Sequence, residues 1–171
     1  METWVAICAR RNVRTYTDER ISDADLTRIL QAGWRTPSAS NRQHWAFVVV
    51  TEPGTLTELS TVWDGARHLA DAAAAIVLAV PEPPDDWTRV VDFYDLGQAT
   101  FAMMLAATDL GVGSGHSAVG EHARAREILD MPATHKPLFM LALGYPADRP
   151  LQAITKLNRR PFDEVVHRES W

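Results

Sequence analysis

The chain has 171 residues, one domain's worth at roughly 100 to 200 per domain, and its 46% hydrophobic and 23% charged content excludes disordered, collagenous and coiled-coil classes. With 17 basic and 22 acidic side chains, the formal charge of -5 has the wrong sign for neutralising nucleic-acid phosphates. The longest nearly uninterrupted apolar run, Ala72 to Val80, is about half of the ~18 residues that a bilayer-spanning helix needs, so neither nucleic acid nor membrane is an expected partner.

In chain order, Val5, Cys8 and Ala9 lie on one stripe at helical spacing and predict a short first helix over residues 3 to 10, with Cys8 in the core. This stretch is too short for a signal peptide's apolar region and runs into Arg10 and Arg11; with a single cysteine and no possible internal disulfide, a cytoplasmic protein is expected. Ser22 is a good N-cap for a second helix, with Asp25 three positions on and Leu26, Ile29 and Leu30 continuing its apolar face towards Gly33. Pro37 to Asn41 is small, polar and incompatible with helix continuation, and such a loop can present backbone amides to a ligand.

Ala46 to Val50 predicts a buried strand ended by Glu52-Pro53-Gly54, and Leu56, Leu59 and Val62 return to helical spacing. Ala73 to Val80 is a candidate second buried strand, although its alanines would also suit a helix, and Pro81, Pro83 and Pro84 end it. The longest helix is placed over Val90 to Leu110, preceded by a loop, and its apolar residues surround so much of the circumference that it needs burial on more than one side. Asp95 is read as a residue that favours the helix macrodipole, without chemistry. Gly111 to Gly120 reads as a glycine-rich break, Glu121 to Leu129 as a short helix, and Leu138 to Leu143 as a third buried strand. Helices alternating with three apolar strands imply an α/β or α+β class.

Gly113 to Ala118 satisfies G-x-G-x-x-A, but a dinucleotide fingerprint needs a strand before it and a long helix precedes it here. The same segment fails G-x-S-x-G, and the six histidines show no metal-ligand spacing. Arg10, Arg11 and Arg14 near one end, with Lys156, Arg159 and Arg160 near the other, would form a local anion site if the fold joins them, because planar guanidinium forks match phosphate oxygens.

Two strings, Arg10-Arg11-Asn12-Val13-Arg14-Thr15-Tyr16 and Pro37-Ser38-Ala39-Ser40-Asn41-Arg42-Gln43-His44-Trp45, resemble the opening of the flavin-dependent nitroreductase family. Later stretches resemble its landmarks in the same order: Asp95 to Ala99, Leu110 to Ser114, Leu143 to Pro146, and Arg159 to His167. Asn12 stands where the family commonly has Ser, and His44 where it commonly has Pro.

The resemblance implies an α+β, three-layer fold over the whole chain as one domain, with a central mixed or antiparallel sheet flanked by helices. It also implies a homodimer with exchanged C-terminal segments and FMN bound between subunits. Arg10, Arg11, Asn12, Arg14, Arg159 and Arg160 are then expected to bind the cofactor's phosphate end, and Pro37, Ser38, Ala39, Asn41 and Gln43 to approach the flavin. The backbone at His116, Ser117 and Ala118 is expected beside its reactive nitrogen. The activity implied is hydride transfer from NADH or NADPH through the flavin to a small conjugated acceptor such as a nitroaromatic or quinone, by ping-pong kinetics. A binding or sequestering protein for flavin or deazaflavin, with little turnover, is the alternative.

Overall fold

The computed structural model describes residues 1–171. Five α-helices and four strands follow one another as α1 (Thr3–Ala9), α2 (Asp23–Trp34), β1 (Ala46–Val50), α3 (Pro53–Leu59), β2 (Ala74–Pro81), α4 (Asp86–Asp109), β3 (Gly113–Ala118), α5 (His122–Ile128) and β4 (His135–Gly144). The strands form one sheet in the order β1-β2-β4-β3, with every neighbouring pair antiparallel. The single parallel pairing is an isolated bridge from Asn12 to Ser114.

The continuous apolar run of β2 follows from burial on both faces, since a strand turns alternate side chains to opposite sides. Ile76, Leu78 and Val80 pack with Leu141 and Leu143 of β4 against Leu26, Ile29, Leu96 and Met103 of α2 and α4. Ala75 and Val77 pack with Met140 and Ala142 against Leu56, Leu59, Leu69 and Val13 on the other side. The result is the expected three-layer α+β arrangement.

Local chemistry sets the helix starts. The Ser22 hydroxyl accepts the Asp25 amide at 3.1 Å and so caps α2. The Asp85 carboxylate accepts the Thr88 amide at 2.7 Å, and this cap starts α4 at Asp86 rather than near Val90. The loop expected before Val90 is therefore helix from Asp86 onward.

Three other expectations are corrected. Gly113–Ala118 is a strand, not a glycine-rich break: a Cβ at Gly113 would lie 2.7 Å from Val13 Cγ2, and one at Gly115 would lie 2.4 Å from the Val13 carbonyl oxygen. Its glycines admit the Arg10–Arg14 segment against the sheet. β1 matches its expected bounds but is an edge strand that is mostly half-exposed, because nothing pairs beyond it. In α1 the buried residues are Ala6 and Ala9, while Val5 is exposed and Cys8 half-buried, its carbonyl accepting the Ile154 amide at 3.0 Å.

Large apolar side chains remain exposed on α1, α4 and the C-terminal stretch: Trp4, Trp87, Tyr94, Phe101, Phe162 and Trp171. Every residue from Thr155 onward is exposed, with only a 3₁₀ turn at Phe162–Glu164. No helix is long and apolar enough to cross a membrane.

Candidate cofactor site

The Arg10–Arg14 segment is fixed by its apolar members. Val13 is fully buried, its amide donates to the Ser114 carbonyl at 2.9 Å, and its carbonyl accepts the Tyr16 hydroxyl at 2.7 Å. With Val13 turned inward, Asn12 and Arg14 face outward. Because alternate residues of a strand direct their backbone groups the same way, the N–H and C=O of His116 and Ala118 share the direction of Ser114, towards the edge of β3 away from β4. The Arg segment covers that edge only at Ser114.

The arginines divide into two sets. Arg11 is buried and grips Asp148 through two bonds of 2.7 and 3.0 Å, with a further bond to the Arg149 carbonyl. Its guanidinium is taken up by this pairing, which separates it from the anion-binding group expected for it. Arg160 bonds within the C-terminal stretch, to the Glu164 carboxylate at 3.3 Å and its carbonyl at 3.2 Å. Arg10, Arg14 and Arg159 form no ion pair; Arg10 reaches only the Asn12 side chain, at 3.4 Å, and Arg159 only the Asn158 carbonyl.

These charges act in overlapping pairs. Burial and the neighbouring Arg159 depress the pKa of Arg10. Partial burial, then Arg10 and Arg14, depress that of His116. Burial likewise lowers His68, against the opposing hydrogen bond with the Gly115 carbonyl, and Arg14 lowers it further. Positive groups without counter-charges thus collect along β3 from both ends of the chain, a local environment that favours a multiply charged anion.

The Arg11–Asp148 pair yields an acid-stability prediction. The Arg11 hydrogen bond holds the Asp148 carboxyl below the usual carboxylate range. Its folded-state pKa lies below the unfolded value, so the pair contributes stability above about pH 4 that disappears as pH falls through the folded value. The difference in Tm between the native chain and Asp148→Asn is expected to be constant above about pH 5 and to shrink below about pH 4. A difference that persists unchanged into strong acid would contradict this pairing.

The second group is the loop before β1. Pro37, Asn41 and Gln43 are exposed, Ser38 and Ala39 half-buried. Ser40, Asn41 and Gln43 have φ of 52°, 54° and 53°, left-handed conformations that cost non-glycine residues energy. The Ser38 hydroxyl accepts the Gln43 amide at 3.0 Å, and the Gln43 side chain donates to the Asn41 carbonyl at 3.2 Å.

Two α4 residues outside the expected site hold this loop. Asp95 accepts the Ala39 amide at 3.0 Å, and Asp92 meets His44 Nδ1 at 3.0 Å. They share the buried face with Leu96, Ala99 and Met103, and an acidic pair on an apolar stripe was the available signal. Asp95 therefore has a specific partner, which a macrodipole role does not describe. No hydrogen bond joins the loop to the Arg segment within one chain, and a cavity of about 560 Å³ beside Thr15–Ile21 and Ala70–Ala74 touches neither.

An antiparallel four-stranded sheet with α2 and α4 on one face and the Arg segment laid on its β3 edge is the nitroreductase fold. The FMN-dependent nitroreductase from Clostridium difficile is similar over 98% of this chain and 99% of that one, with a TM-score of 0.84 and 25% identity. The NADPH:FMN oxidoreductase from Vibrio harveyi, solved with NAD+, has a TM-score of 0.85 and 25% identity over 99% of this chain and 77% of that one. In sequence, a protein of Archaeoglobus fulgidus named as a NADH dehydrogenase/NAD(P)H nitroreductase is 36% identical over 174 residues, 96% of either chain. The nitroreductase family model matches residues 7–86 and 56–145, and the chain belongs to that family.

Proposed function

We propose that this protein is an FMN-dependent NAD(P)H oxidoreductase, a cytoplasmic homodimer of single-domain subunits acting on small conjugated acceptors such as nitroaromatics or quinones. The observation that carries the reading is the set of three guanidinium groups without an ion-pair partner: Arg10 and Arg14, which both act on His116 of β3, and Arg159, which acts on Arg10. The residues fit the cofactor: the arginines and Asn12 suit its phosphate and ribityl oxygens, and Gly113 and Gly115 let the segment that carries Arg10, Asn12 and Arg14 lie close on β3. Ser114 and Ser117 have buried hydroxyl oxygens without hydrogen-bond partners, and Ser117 adjoins the open β3 edge.

Arg10, Arg14 and Arg159 hold the phosphate, while the amides of His116 and Ala118 stand at the open edge as donors to an electron-rich ring. Pro37, Ser38, Ala39, Asn41 and Gln43 of a second subunit complete the site. The exposed apolar residues of α1, α4 and the C-terminal stretch are the surface that such a dimer buries. When bound, FMN supplies the two-electron chemistry, so no side-chain acid, base or nucleophile is required for hydride transfer. The chain supplies position, charge and exclusion of water.

Purified protein is expected to carry a flavin absorbance band, to bleach when NADH or NADPH is added without oxygen, and to recover when a quinone or nitroaromatic follows. Retained colour without bleaching by either nucleotide would favour a binding protein instead. Colourless protein that takes up no added FMN would overturn the cofactor assignment.

A further inference from the structure

The loop carrying Ser38, Asn41 and Gln43 sits in a conformation that its own sequence does not favour. Three of the chain's five non-glycine residues with positive φ lie in this short segment. Such backbone persists where the surroundings over-determine it. Within the loop, only the Ser38–Gln43 and Gln43–Asn41 bonds, together with the 3₁₀ turn, oppose relaxation. The remaining anchors come from one turn of α4.

Asp92 and Asp95 are 3% and 6% exposed, three residues apart on the same helical face. Asp95 Oδ2 accepts the Ala39 amide at 3.0 Å, at the entrance to the strained residues. Asp92 Oδ1 lies 3.0 Å from His44 Nδ1 at their exit; since a carboxylate only accepts, the imidazole donates there. Asp92 Oδ2 is buried with no partner at all. No Arg or Lys pairs with either carboxylate. Asp95 Oδ1 accepts a long 3.5 Å bond from the Gln98 side chain. Burying two carboxylates without an Arg or Lys partner opposes folding, and apolar side chains would fill that helix face at lower cost.

We propose that Asp92 and Asp95 are positioning residues that clamp the two ends of the Pro37–His44 loop, holding Ser40, Asn41 and Gln43 in their left-handed backbone and so keeping the loop in the shape that receives the flavin. This rests on the FMN assignment above. Asp95 acts through the loop backbone and Asp92 through His44.

The test uses full-length protein stripped of flavin and titrated with FMN, alongside the thermal midpoint without flavin and the visible circular dichroism of the bound flavin. For Asp95→Leu, the midpoint is expected to equal or exceed that of the native chain, because a buried charge is removed. FMN should bind at least tenfold more weakly, with an altered dichroism band. Asp95→Asn keeps an acceptor for the Ala39 amide and should bind within threefold of the native chain. Trypsin should cut after the exposed Arg42 several-fold faster in flavin-free Asp95→Leu, with other sites unchanged.

Native affinity and native dichroism in Asp95→Leu would overturn the clamp while leaving the flavin assignment intact. If that variant does not fold, His44→Phe, a change in a half-exposed side chain, supplies the same test: at least tenfold weaker binding supports the clamp and native affinity overturns it. A native chain that binds no FMN removes the assignment itself, and the clamp with it.

Discussion

Arg14→Ala and Arg159→Ala are each expected to weaken FMN binding by about 10- to 100-fold, the loss of one charge-assisted contact of roughly 1.5 to 3 kcal/mol. The flavin-free protein should behave in the opposite sense. These guanidinium groups have no carboxylate partner; Arg159 opposes the charge of Arg10, and Arg14 that of His116, so removing either leaves Tm unchanged or slightly raised. Weaker binding with undiminished stability is the mark of a group held ready for an anion. Arg11→Ala should instead lower Tm, since Arg11 is buried against Asp148. Titration with FMN and thermal unfolding of the three variants separate the roles. Unchanged affinity in both Arg14→Ala and Arg159→Ala would dismantle the phosphate assignment.

The second large effect is expected from a single methyl group. In Gly115→Ala the new Cβ would lie 2.4 Å from the Val13 carbonyl oxygen and 3.0 Å from His68 Nε2. The first neighbour is backbone, held by the Tyr16 hydroxyl and by the Val13–Ser114 bond, and cannot swing aside as a flexible side chain does. Overpacking of this kind costs about 1 to 3 kcal/mol, and more where backbone must move. At about 2 to 4 °C per kcal/mol for a chain of this size, Tm should fall by several degrees. FMN affinity should fall with it, because the displaced strand carries Asn12 and Arg14. Native Tm and affinity in Gly115→Ala would mean that the strand does not lie against β3 as described.

Much of the architecture was readable in the residues for identifiable reasons. The bounds of β1 were recovered because Trp45 and Glu52-Pro53-Gly54 bracket a β-branched run. β2 was recovered because burial on both faces leaves an unbroken apolar string. α2 announced itself through Ser22. β3 was not legible, since Gly-Ser-Gly-His-Ser-Ala has little intrinsic strand preference; tertiary pairing with β4 and the approach of Val13 impose the conformation. α4 begins at Asp86 rather than near Val90 because the Asp85 carboxylate caps it, a signal that is present in the sequence.

The candidate site divides in the same way. Motif resemblance located the loop and the Arg segment, but residue type cannot tell an arginine awaiting phosphate from one committed to a carboxylate 137 positions away, as Arg11 is. The purpose of Asp92 and Asp95 was hidden because their partners lie in a distant loop, brought near only when α4 packs.

The half-buried Cys8 has a practical consequence. Its carbonyl receives the Ile154 amide, and Leu151 and Ile154 are the half-buried members of an otherwise exposed terminal stretch. The molecule's sole thiol therefore belongs to the residue whose backbone receives the last docked part of that stretch. Lifting of the tail breaks a backbone bond to α1, so the amide of Ile154 becomes an exchange-sensitive reporter of its detachment, slow to exchange while docked and fast once free.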